Sequence, residues 1–180
     1  MPTPDVTVRP ADDGDAAGLA ELHTRNRDYF RTGEPLRPPE YYTESGQRRV
    51  IAEAQAARVA GTGVLFVVVA QGRVIGRAAL TSVVRGAFQS GSIGYLVDEA
   101  HTGVGVATTA VRHLVAHAFG HERLHRLEAG TLTTNLASQR VLTRCGFERY
   151  GTAPGYLRID GRWQTHHLFQ LLNADYPEEP

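Results

Sequence analysis

Apolar and polar positions along the chain fall into short apolar runs separated by stripes of three- and four-residue spacing, the mixture expected of strands alternating with helices. The apolar run from Ile93 to Val97 predicts a buried strand. A short polar link then leads through a turn interrupted by Gly103 and Gly105 into a helix. There Ala107, Ala110, Val111, Leu114, Val115 and Ala118 share one face, and Gly120 marks the end. Upstream, Val6 to Arg9 predicts a first strand, and Asp12 or Asp13 is placed to cap a helix carrying Ala16, Leu19, Ala20 and Leu22 toward Arg27. A proline-rich loop follows, then a second helix over Tyr41 to Ala60 carrying Val50, Ile51, Ala54, Ala57 and Arg58, ended by Gly61 and Gly63. Leu65 to Ala70 and Val74 to Val84 pair across Gln71-Gly72-Arg73, a hairpin signal. Downstream, Arg126 to Thr133 predicts a strand, and Asn135 caps a helix that stops at Gly146, with Phe147 folding back toward Leu142. Phe147 to Ala153 and Arg162 to Leu172 predict two last strands joined through a loop containing Tyr156.

A strand, a glycine turn and a helix in succession form an anion-binding geometry. Glycine lets backbone approach a ligand closely, and the first free N–H groups of a helix point at whatever lies in front. A nucleotide-triphosphatase loop would end in Gly-Lys-Ser/Thr, and all nineteen basic residues of this chain are arginine. A dinucleotide loop is closer. Gly103, Gly105 and Thr108 nearly spell GxGxxG, with Glu128 about as far downstream as a ribose-binding acid. That reading leaves the first hundred or so residues unexplained. A third pattern, Q/R-x-x-G-x-G/A, fits Thr102 to Ala107 with Gly105 and Ala107 at the small-residue positions.

Composition changes the picture little. The 180 residues are 42% apolar, enough for one sizeable core, and predict a single domain over residues 1–180 with its core at about 6–172 and a tail at 173–180, loosest at Pro177 to Pro180. No apolar run is long enough to span a bilayer, and Met1-Pro-Thr-Pro-Asp5 lacks the basic-then-apolar order of a signal peptide, so a cytoplasmic protein without membrane contact is expected. One cysteine excludes an internal disulfide, and Cys145 reads as a core residue beside the helix cap. Nineteen acids balance the arginines, which gives no sign of nucleic-acid binding.

Thr102-Gly-Val-Gly-Val-Ala107, followed one strand later by Gly130-Thr-Leu-Thr-Thr-Asn135-Leu-Ala-Ser138-Gln-Arg-Val-Leu-Thr-Arg-Cys-Gly-Phe147, resembles the acetyl-coenzyme A signature of GNAT N-acetyltransferases. Asn26-Arg-Asp-Tyr-Phe-Arg-Thr-Gly-Glu34-Pro35, Val83-Val-Arg-Gly-Ala-Phe-Gln89, His125-Arg-Leu-Glu128 and Tyr156-Leu-Arg-Ile-Asp-Gly-Arg-Trp163 are similar to its RimJ/RimL branch, which acetylates N-terminal amines of ribosomal proteins. The resemblance runs from about Val6 to Leu172. It implies an α+β fold, a mixed, mostly antiparallel sheet of six or seven strands flanked by about four helices. It also implies acetyl-CoA as donor, CoA as product and a protein or peptide N-terminus as acceptor, in a monomer or homodimer. An amine-bearing antibiotic, toxin or metabolite remains an alternative acceptor, and a non-catalytic acyl-CoA binder an alternative of another class.

Carried onto this chain, the resemblance assigns the pyrophosphate to backbone amides of Thr102, Gly103, Val104, Gly105, Val106, Ala107 and Thr108. It assigns the pantetheine arm and thioester carbonyl to backbone near Leu96, Val97 and Asp98. Asn135 would contact the pantetheine, and Ser138 would protonate the departing thiolate. Glu34 is the candidate base or amine anchor, with Tyr29, Phe30, Arg85, Phe88, Tyr95 and Tyr156 as acceptor-site neighbours. Relatives commonly carry an acid before the tyrosine matching Tyr156, whereas this chain has Gly155, and Thr32-Gly33 replaces the usual Pro-Trp before Glu34. Without that acid, amine pKa decides the acceptor. At pH 7 an α-amine is roughly 10 to 17% neutral and a lysine about 0.04%, which points to an N-terminal or other low-pKa amine.

His113, His117 and His121 are spaced for one helical face. With no acid or cysteine completing a ligand set, they read as a solvated face, and no structural or catalytic metal is expected.

Overall fold

A computed structural model describes residues 5–177. Met1 to Pro4 and the tail residues Glu178 to Pro180 lie outside the described residues, and with them most of the N-terminal segment and the end of the expected tail.

The chain runs β1 (Thr7–Pro10), α1 (Ala16–Arg25), α2 (Arg27–Arg31), α3 (Glu44–Val59), β2 (Val64–Ala70), β3 (Arg73–Val84), β4 (Ser90–Val97), α4 (Val106–Ala116), β5 (Arg126–Leu132), α5 (Leu136–Arg144), β6 (Glu148–Ile159) and β7 (Arg162–Leu172). The seven strands form one sheet in the order β1-β2-β3-β4-β5-β7-β6, antiparallel throughout except where β4 meets β5. This is the α+β, mostly antiparallel sheet expected, with seven strands and five helices instead of about four. Among the described residues it has one parallel pair, whereas a dinucleotide fold is built from successive parallel units. The dinucleotide reading of the glycine loop therefore loses its architectural support.

Alternation along the strands splits the core between the two faces. Phe66, Val68, Ile75 and Leu80 pack with Val106, Ala110 and Leu114 of α4 and Leu142 of α5. On the other face Val67 and Val74 receive Leu19 and Leu22 of α1 and Ile51 of α3. The hairpin between β2 and β3 turns through Gln71 and Gly72, both at positive φ (49° and 75°), the backbone of a two-residue turn matching strand twist. At the end of α5, Gly146 sits at φ 88° and the Phe147 N–H bonds the Leu142 carbonyl at 3.0 Å, the fold-back expected from the Gly-Phe pair.

Several expectations need correction. The segment read as a proline-rich loop contains α2, whose Phe30 is buried. The second long helix starts at Glu44, capped by the Thr43 hydroxyl on the Gly46 N–H; its fully buried residues are Gly46, Gln47 and Ile51, with Val50, Ala54 and Ala57 partly covered and Arg58 exposed. The stretch from Ile93 to Val97 is not uniformly buried: Gly94 is exposed, and Tyr95 and Leu96 are only partly covered. Gly120 does not end the helix after the glycine loop, because a π-turn over His117–His121 carries it to Glu122. Tyr156 lies not in a loop but in β6, where the register against β7 shifts between Ala153 and Leu157, and the actual turn is at Asp160 and Gly161.

Candidate functional site

Strands β4 and β5 pair over only three residues, Ser90 to Ser92 against Arg126 to Glu128. Beyond them β4 continues to Val97 along β3 and β5 to Leu132 along β7 without pairing to each other, so the sheet opens and leaves one edge of β4 facing a gap. The β4 end is fixed by Asp98, which accepts the Ala100 N–H and pairs with Arg25 at 2.7 Å. Burial alone would raise the Asp98 carboxyl, but the Arg25 guanidinium and the Ala100 amide outweigh it and hold the carboxyl below the usual range.

From this anchor the chain passes Gly103 (φ 76°) and Gly105 (φ 93°), positions where an L side chain would be strained, and enters α4 with Gly105 as its N-cap. No side chain caps the helix, and the first amide to bond back is that of Thr109, on the Gly105 carbonyl at 3.0 Å. The amides of Val106, Ala107 and Thr108 are therefore left for a ligand, in the positive field of the helix end. A Cβ built on Gly103 would meet nothing within 4 Å, so the approach is open.

These elements border a cleft of about 460 Å³. Its walls bring together Tyr95, Leu96 and Val97 of β4, Thr102, Gly103 and Gly105 of the loop, and Val106, Ala107 and Thr108 of α4. Asn135 and Ser138 face them from α5, and Tyr29, Phe30 and Glu34 close one side. Asp98 and Val104 are not on the wall: Asp98 is the anchor just described, and Val104 packs toward the core. Arg144, a cation at the end of α5, stands on the same wall and is not among the residues the sequence singles out. Its only signal was a basic residue in a helix's last turn, where basic residues are ordinary. Uncapped amides, two obligatory glycines and one arginine suit a pyrophosphate, and the unpaired strand edge suits an amide-bearing arm.

Polar groups in the cleft are coupled. Asn135 Oδ1 accepts the Ser138 N–H at 3.0 Å as the cap of α5, which leaves its Nδ2 free. The Tyr95 hydroxyl lies 2.8 Å from Ser138 Oγ and 3.2 Å from the Ser138 carbonyl, tying β4 to α5 across the gap. Burial pushes the Tyr95 phenol up to about 12, so it stays protonated at neutral pH. Glu34 is held by Arg77 at 3.0 Å and lies 4.0 Å from His23 Nδ1. Burial, with the charges of Arg77 and Arg37, lowers His23 to about 3, so the imidazole is neutral.

A depressed imidazole is a stability term with a fixed sign. Below about pH 6.5 the unfolded chain takes up a proton that the native site refuses, so this stability is complete above pH 6.5 and is lost as pH falls toward 3. Between pH 7 and 5 His23 should cost about 2 kcal/mol, or roughly 4 to 8 °C in melting temperature. Calorimetry at the two pH values checks this, with His23→Gln expected to flatten the difference. An equal drop in the variant would remove His23 as its source.

Three of the expected acceptor-site residues are not on the cleft wall. Arg85 reaches from the β3–β4 hairpin to Glu122 through its carboxylate and carbonyl. Phe88, in the same hairpin, is exposed and lies 5.8 Å from the Arg126 guanidinium. Tyr156 lies over Gly130 and beside His166. None borders the cleft; they sit at a hairpin and at a shift of register that residue spacing does not reveal.

The histidine face is solvated only at His121, which is 71% exposed, whereas His113 and His117 are partly buried. His113 and His117 meet the buried Phe66 ring edge-on, and Glu122, overlooked in the sequence, completes a group with His117 and His121 whose ligand atoms lie within 4.8 Å of one another. The Cys145 thiol is half-buried beside Thr108 and pushed up by burial.

Comparison with known proteins gives one family: the Acetyltransferase (GNAT) domain profile matches residues 5–148. The chain is 39% identical over 172 residues to the probable N-acetyltransferase YjcK of Bacillus subtilis, covering 94% of this chain and 95% of that one. It is 29% identical to the ribosomal protein uS5-alanine N-acetyltransferase of Escherichia coli, covering 98% and 92%. Among solved structures, Mycobacterium smegmatis RimJ in complex with CoA-disulfide superposes with a TM-score of 0.92 at 28% identity, covering 99% of this chain and 87% of that one.

Proposed function

This chain belongs to the GNAT acetyltransferase family, and from that premise we propose that it transfers the acetyl group of acetyl-CoA to the N-terminal α-amine of a protein or peptide. The observation that carries the donor assignment is the uncapped start of α4 beside the β4–β5 gap, which offers amides to a pyrophosphate and a strand edge to the pantetheine. The acceptor assignment draws support from the alanine N-acetyltransferases of similar sequence and from the amine pKa argument.

When bound, acetyl-CoA supplies a thioester whose carbonyl carbon accepts the amine nitrogen while the C–S bond breaks. Amides of Val106 to Thr108 and Arg144 hold the phosphates, and the free β4 edge near Leu96 and Val97 aligns the arm and donates to the developing oxyanion. Asn135 keeps its Oδ1 on the helix and offers Nδ2 to the arm. Ser138 Oγ–H donates to the departing sulfur while Tyr95 donates to Ser138 Oγ. A phenol near 12 does not give up its proton to a thiolate whose thiol titrates near 8.5, so the pair steadies the leaving group by hydrogen bonding and the sulfur's proton comes finally from solvent. The amine, losing one proton as the sulfur gains one, needs only water as its base. Glu34, already paired with Arg77, anchors the acceptor.

Thiol release from acetyl-CoA over a panel of peptides tests this reading. Ser138→Ala should lower kcat roughly tenfold to a thousandfold with little change in donor affinity, and Tyr95→Phe should lower it less. Wild-type kcat in Ser138→Ala would remove the hydroxyl from the mechanism. Absence of thiol release with every amine would overturn the enzymatic reading in favour of an acyl-CoA binder.

A further inference from the structure

Beside the main cleft lies a second, of about 130 Å³, which shares Phe30 and Glu34 with it. Arg27, Arg31 and Arg37 line it. Arg31 is neutralised by Asp160 at 2.6 Å, and Glu34 is committed to Arg77. Arg27 and Arg37 have no ion-pair partner among the described residues, and the remaining acid on the wall, Asp28, pairs with neither. Each free guanidinium is laid on an aromatic face, Arg27 4.4 Å from the Tyr42 ring centre and Arg37 4.7 Å from that of Tyr41. Stacking orients the planar fork while leaving its N–H edge available. Arg37 Nε is buried with no hydrogen-bond partner, a donor group without an acceptor. The field of Arg37 also contributes to the depression of the adjacent His23.

We propose that this second cleft binds an anionic oxygen group, a carboxylate or a phosphate, carried by the acceptor itself, so that the enzyme selects amines with an acid a few bonds away. The inference rests on the acetyltransferase reading, in which the amine enters past Phe30 and Glu34 and the atoms following it meet Arg27 and Arg37. Charge-assisted bonds from a fixed guanidinium fork are the strong class of polar contact, and they suit planar carboxylate and phosphate oxygens alike. A cleft of about 130 Å³ admits a carboxylate or a phosphate group.

Calorimetric binding to the CoA-saturated protein tests the site without turnover, using the peptides Ala-Glu-Ser-Ala, Ala-Gln-Ser-Ala and Ala-phosphoserine-Ser-Ala. The glutamate peptide should bind roughly tenfold more tightly than the glutamine peptide, with the advantage shrinking as salt rises. Arg37→Gln should bring the ratio close to one, and Arg37→Lys should retain part of it. Tighter binding of the phosphoserine peptide assigns the site to phosphate, and the reverse assigns it to carboxylate. Equal affinity of the glutamate and glutamine peptides for the wild-type protein overturns the proposal, as does an unchanged preference in Arg37→Gln. Thiol release from acetyl-CoA with the glutamine peptide, measured alongside, reports on the transferase reading separately.

Discussion

Gly105→Glu should abolish the stabilisation that CoA gives the native protein. With ligand at 100 times its dissociation constant the wild-type should gain roughly 2.7 kcal/mol, a rise of about 5 to 10 °C in melting temperature. NAD should do much less. The substitution acts twice: at φ 93° any L side chain is strained, and a carboxylate there puts negative charge at the amides of Val106 to Thr108. The strain lowers the starting melting temperature, whereas the charge removes the ligand-dependent rise, and only the second bears on the donor site. Gly120→Ala is the control, because that glycine has an ordinary φ and open space around its Cβ position. A larger shift with NAD than with CoA would contradict the donor assignment and reopen the dinucleotide reading.

The second large effect is on pH dependence. With no acid at position 155 and Glu34 tied to Arg77, the rate should follow the acceptor's own neutral fraction. It should climb nearly tenfold per pH unit below the amine's pKa and level off above about pH 8 for an α-amine. A lysine side chain, roughly two hundred- to four hundredfold less neutral at pH 7, should react correspondingly more slowly. Restoring the relatives' acid is not simple, because Gly155 lies at φ 55° in the β6 bulge. Gly155→Asp is the better test, since aspartate tolerates this region better than glutamate. Initial rates between pH 6 and 9 decide the matter. A flat profile in the wild-type would mean that a protein base is present after all.

What could be read from the sequence was whatever is encoded locally. The glycine loop, the Asn135 cap, the Gly146–Phe147 fold-back and the Gln71–Gly72 turn depend on a few adjacent residues with distinctive backbone demands, and each lies where those demands place it. What escaped depends on contacts distant in sequence. Arg144 reaches the cleft only because α5 lies against the open edge of β4, and the Tyr95–Ser138 link spans 43 positions. The α2 segment has too few residues for helical periodicity to show among its charged neighbours. His117 looks solvated in sequence because its helical face is polar, yet it lies against a buried ring, Phe66. Arg85 and Phe88 are named by resemblance alone, and in the fold they contact Glu122 and Arg126.

The central claim is that this protein acetylates an N-terminal α-amine from acetyl-CoA, and fragmentation mass spectrometry of a single reaction tests it most directly. The acceptor is a peptide with a free N-terminal alanine and one internal lysine, incubated with the protein and acetyl-CoA at pH 7. The account predicts a mass gain of one acetyl group borne by the N-terminal fragment ions, with the lysine unmodified and no product from the same peptide blocked at its N-terminus. An acetyl group on the lysine with the N-terminus untouched would contradict the account.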